Sequence, residues 1–230
     1  MKYYKYLLVL IISLIFESII VAQKNNGFNE NDFNLFLKSG IRVNDKENYA
    51  NLFFEDNTPE VRNITYNGGL SFWVNWSKIH LISDVQISNF EIASDDNSEL
   101  KVEEYFGSVS LGYSFLQIKR LKMTGAAGLS YANYNFLLQN SNNASASVSS
   151  YLNFAADSYY LSAQAWYSNF TLISTYALPV GNNRDLMLGI EFGYQTRVSD
   201  VEWERKGNTL EGPNLMADNI YANFTVGIGF

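Results

Sequence analysis

His80 is the single histidine in the 230 residues, and Asp84 follows it four positions later. A histidine beside a carboxylate can act as a general base and prepare a hydroxyl or a water for attack, which is hydrolytic chemistry. In an extended strand the two share a face, but four residues at ~3.3 Å each separate them by roughly 13 Å. A direct hydrogen bond between them is therefore not expected. The same alternation gathers Lys38, Arg42, Glu104, Lys122, Glu191 and Arg197 onto the polar faces of their own segments. Ionised groups of both signs, drawn together out of water, must pair or stay hydrated. A network of structural ion pairs is the first expectation for this set, and a charged constriction for small solutes is the second.

Two other stretches carry groups of interest. Ser94-Asp-Asp-Asn-Ser-Glu99, with Glu103 and Glu104 after it, offers carboxylate oxygens at short spacing. It lacks the D-x-[DN]-x-[DN]-G frame of a calcium loop, so a solvated acidic loop is expected and no metal is assigned. Trp203-Glu-Arg-Lys206 sets an aromatic ring beside basic groups, a combination that suits sugar or lipid phosphate at the membrane surface and that an ordinary loop explains as well. No cofactor is called for. Residues 1–22 hold Lys2, Lys5 and Glu17, so the remainder has 14 basic and 22 acidic residues and a net charge of −8. That excess argues against nucleic acid, which needs a basic face. The absence of cysteine excludes a disulfide framework.

The elements that position these groups read as strands. Ile64, Tyr66, Gly68, Leu70, Phe72, Val74 and Trp76 alternate with Thr65, Asn67, Gly69, Ser71, Trp73 and Asn75. The same period of two runs through 33–43, 79–88, 104–115, 121–131 and 186–197, in lengths near the ~9–11 residues that a tilted strand needs to cross a bilayer. Connections alternate: Asn44–Asn63, Glu91–Glu103 and Val198–Ala217 are long and polar, while Ser77-Lys78 and Gln117–Arg120 are tight. In the middle, 148–156, 159–167 and 172–180 each alternate. Counted as three strands, with a turn near Ser168-Asn169, they bring the total to ten. Counted as one strand with an excursion, they give eight.

A soluble sandwich or lipocalin-like barrel shows the same alternation with its faces reversed. The polar face here is rich in Gly, Ser and Asn, and Tyr66, Trp76, Tyr105 and Phe115 fall near strand ends like interfacial girdles. Both features favour a barrel whose apolar face meets lipid. Met1–Lys5 is a basic start followed by an apolar run to Phe16 and a small residue at Ala22, the pattern of a secretory signal peptide over 1–22. Residues 23–230 then form the barrel domain.

Ile220, Ala222, Phe224, Val226, Ile228 and Phe230 line one face of the last stretch, with Tyr221, Asn223, Thr225, Gly227 and Gly229 on the other. In this the chain resembles bacterial outer-membrane β-barrel proteins, whose final strand commonly ends in Phe. Over 31–230 it is similar in architecture to the OmpA/OmpX-like families. The resemblance implies an all-β, transmembrane, antiparallel up-and-down barrel of ten strands, alternatively eight, in the outer membrane. It also implies that Phe224, Val226, Ile228 and Phe230 are read by the barrel-assembly machinery, and that outer-membrane lipid and lipopolysaccharide surround the wall. Known outer-membrane enzymes rely on a His beside acidic or hydroxyl residues, but none of their motifs is present. The expected function is a non-enzymatic barrel with a structural or surface-interaction role through its long loops, its extracellular ligand unspecified. A narrow porin is the alternative, and a hydrolase using His80 ranks below both.

Overall fold

A computed structural model describes residues 33–44, 64–93, 98–140, 158–181, 184–205, 208–210 and 218–230. The strands are β1 (Phe33–Asn44), β2 (Ile64–Trp76), β3 (Ile79–Ala93), β4 (Ser98–Ile118), β5 (Leu121–Asn140), β6 (Ser158–Gly181), β7 (Arg184–Arg197), β8 (Glu202–Arg205), β9 (Asn208–Leu210) and β10 (Asp218–Gly229). Strands β1 to β7 pair each with the next, β7 pairs with β10, and β10 returns to β1, all antiparallel. Closure removes every edge from this ring. The short hairpin β8–β9 stands outside it, with Trp203 of β8 opposite Ala163 of β6.

The ring therefore has eight strands, the alternative count, and not ten. Ser168 and Asn169 form no turn: both lie inside β6, paired to Leu129 and Gly128 on one side and to Thr196 and Gln195 on the other. Residues 148–156 lie outside the described residues. What imitates a break in β6 is a change of apolar face along one continuous strand. Leu161, Ala163, Ala165 and Tyr167 point inward and are buried, while Phe170, Leu172 and Tyr176 point outward and are exposed. The two sets differ in parity, so a reading by alternation alone inserts a turn where they meet.

The same inversion runs across β4 and β5. Lower on β4 the outward residues are Val109, Leu111, Tyr113 and Phe115; higher up they are Lys101 and Glu103, with Leu100 and Val102 turned inside. On β5 outward Leu129 gives way to Asn133 and Asn135, while Ala132, Tyr134 and Phe136 are buried. Leu111, 64 % exposed, and Phe170, 53 % exposed, have no solvent to suit them but lipid. Ten residues separate Tyr105 from Phe115, as they do Trp166 from Tyr176. At ~3.3 Å per residue and a tilt near 40°, that is about 25 Å of height, the apolar band of an outer-membrane-type barrel.

The two ends differ. Trp76 pairs across Ser77-Lys78 to Ile79, and Ile118 pairs across Lys119-Arg120 to Leu121, so both hairpins turn in two residues. Ser77 and Lys119 take up left-handed φ values of 58° and 53°, as such turns demand at their first position. At the other end β3 to β6 continue upward as a wall, and Glu91–Ala93 and Ser98–Glu103, expected as loop, belong to β3 and β4. Short turns face the periplasm in barrels of this kind, so the wall faces outward.

Candidate functional site

Inside the ring, charges and apolar side chains occupy separate layers. Lys38 of β1 lies 2.8 Å from Asp84 of β3 and 2.7 Å from Glu191 of β7, bridging three strands. Ser108 of β4 donates to Asp84 at 3.2 Å. Above this, Arg42 is 3.4 Å from Glu104, to which Ser88 also donates, and the guanidinium sits 3.5 Å over the Phe106 ring. Each charge thus gains a counter-charge or a π-face in place of water, the condition under which ions are tolerated inside a barrel. Tyr221 of β10 completes the middle layer, its hydroxyl 2.7 Å from Thr171. Its ring lies so close to Gly193 that a Cβ there would sit 2.0 Å from it, so any larger residue on β7 at that level would have to displace the ring.

Below the charges lies an apolar layer. Phe36, Trp73, Ile82, Ala126, Ile173 and Met187 form one buried cluster from six of the eight ring strands. Phe36 and Trp73 meet with ring centroids 4.9 Å apart. A Cβ on Gly227 of β10 would lie 2.4 Å from Phe36, so that strand yields its space to the ring. The layer reaches across the interior as an apolar plug drawn from six strands. Its members had a legible signature that the polar-face reading passed over. Phe36, Trp73, Ile82 and Met187 each interrupt a strand face whose neighbouring positions are polar, charged or glycine.

His80 lies beneath the plug, fully buried, and does not meet Asp84. Its Nδ1 is 2.7 Å from the Asn75 side-chain oxygen and its Nε2 is 2.6 Å from the Ser114 hydroxyl, which is 2.9 Å from Thr124. One assignment satisfies all of them: Thr124 donates to Ser114, Ser114 to Nε2, and Nδ1–H to Asn75. A hydroxyl, an imidazole and an orienting amide in series have the form of a nucleophile relay. Yet Ser114 is only 4 % exposed and its oxygen is already engaged twice, so the chain acts as a polar clamp across β2, β3, β4 and β5.

Of the eight charged residues singled out from sequence, Lys38, Arg42, His80, Asp84, Glu104 and Glu191 are buried in these layers. Lys122 and Arg197 are half-buried, one at the short-turn mouth and one opposite Tyr167 near the wall. Phe230 exchanges backbone hydrogen bonds with Phe33 at 2.9 and 3.5 Å, closing β10 on β1, and the Arg184 guanidinium stands 5.8 Å from its ring. Phe224 and Ile228 face outward, 53 % and 46 % exposed.

Above the charges the interior becomes a second apolar core. Leu100, Val102, Phe106, Ala132, Tyr134, Phe136, Leu161, Ala163, Ala165, Tyr167, Val201 and Trp203 are all buried in it. Trp203, expected at a surface, is 3 % exposed and stacks on Phe136 with centroids 5.5 Å apart. Val198 and Ser199 bond to the Trp166 backbone where β7 ends, and β8 then takes up the edge of β6 that β7 leaves. On the wall's outer surface partial burial, and after it the Glu103 carboxylate, raise the Tyr160 phenol above its ordinary range.

Solved structures of outer-membrane proteins share this fold. A major outer membrane protein from Thermus thermophilus superposes with a TM-score of 0.51 at 9 % identity, over 87 % of this chain and 99 % of that one. Similar too are OprG from Pseudomonas aeruginosa, TM-score 0.45 at 9 % identity over 87 % and 95 % of the two chains, and Neisserial surface protein A, 0.43 at 10 % over 86 % and 95 %. No family model and no curated protein sequence matches the chain.

Proposed function

We propose that this chain is a non-enzymatic outer-membrane barrel whose task is to hold a packed wall above the membrane for contact with molecules outside the cell. The observation that carries the reading is the second core. Strands β3 to β6 continue past the lipid band, turn apolar residues inward, and are capped by Trp203. A barrel serving only to span the membrane has no use for such an extension. The outward band seats in lipid, lipopolysaccharide surrounds the base of the wall, and the face of Phe224, Val226, Ile228 and Phe230 is the handle for the assembly machinery. The plug speaks against the porin alternative, and the buried, doubly engaged Ser114 against hydrolysis at His80.

The test replaces 198–217 with a short turn. The variant should keep the faster gel mobility of an unboiled barrel. Bacteria displaying it should lose attachment to immobilised glycans or matrix proteins that bacteria displaying the intact chain retain. Equal attachment by both would remove the surface role.

A further inference from the structure

The short-turn mouth holds a cavity of about 410 Å³ beneath the plug, lined by Lys119, Arg120, Lys122, Asp185, Asn34 and Met187 among others. Three cations and one carboxylate leave its charged lining at +2. Among the described residues none of the three cations has a carboxylate within salt-bridge distance, whereas the deeper charges of the interior are paired. Asn34 is 1 % exposed, yet its side-chain oxygen has no hydrogen-bond partner, so the cavity also offers an acceptor. Lys119 and Ser77, which both line this cavity, hold left-handed conformations that Gly or Asn adopts at less cost.

We propose that this vestibule binds a phosphate monoester. Such a group carries close to two negative charges at neutral pH and three terminal oxygens, enough to engage Lys119, Arg120 and Lys122 together. A hydroxyl on the body of the ligand donates to Asn34, and the apolar Leu121, Ala177, Pro179 and Met187 cover its carbon skeleton. The plug above closes the site, so it receives ligand from the short-turn side only.

The full chain in phosphatidylcholine nanodiscs is titrated calorimetrically with glycerol phosphate, with inorganic phosphate in parallel. Binding is expected, weakened at least tenfold in Lys122→Gln and in Arg120→Gln, and weakened further by added salt. Nanodiscs containing phosphatidic acid form a second arm. Saturation by that lipid without any glycerol phosphate heat, lost in the same variants, assigns the phosphate to a lipid headgroup. No binding in either arm, or binding indifferent to both substitutions in variants that retain unboiled gel mobility, overturns the proposal.

Discussion

A single lysine holds the middle of the barrel. Lys38 stands between two carboxylates, so its removal leaves Asp84 and Glu191 facing each other with their common counter-charge gone. Lys38→Met should destabilise the barrel by about 3–5 kcal/mol, read from denaturant unfolding in lipid vesicles. Adding Asp84→Asn and Glu191→Gln should recover most of that, because the stranded charges go with it; failure to recover would mean that the lysine acts through packing. The alternation placed these charges on an inner face, but it could not pair them. Lys38 and Glu191 are 153 residues apart in sequence, and only ring closure through β10 brings β1 near β7. His80 illustrates the same point: its partners Asn75 and Ser114, and Thr124 behind Ser114, come from three strands, and nothing in their spacing marks them.

At the scale of the elements, β6 shows what periodicity can and cannot tell. From 160 to 176 inward and outward residues alternate without a break, yet the apolar parity changes near Ser168, and a period of two has no way to distinguish a turn from a change of solvent. The change is legible only beside β4 and β5, where the same switch occurs without a break. The wall above that switch is a small soluble core with its own cap. Trp203→Ala should cost that core about 3–5 kcal/mol while sparing the ring. Hydrogen exchange should then quicken in 158–166 and 201–210 but not in 184–197 or 218–229; uniform quickening would show that wall and ring unfold as one unit.

For the molecule as a whole, the apolar layer is what should set permeability. The intact chain should pass no current in a planar bilayer across a range of voltages. Phe36→Ala combined with Trp73→Ala removes two ring systems from the plug and should produce discrete conductance steps. Steps from the unmodified chain would restore the porin reading. The switch of polarity on β4, β5 and β6 reaches further than the count of strands. Because each strand exchanges its apolar face at a fixed residue, the molecule fits a bilayer at one depth alone. Raised, it would bring Leu111 and Phe170 into water; lowered, it would drag Glu103 and Asn133 into hydrocarbon. Confronted with a thinner or thicker membrane, such a barrel has no freedom to ride up or down, and the mismatch must be absorbed by the lipids around it.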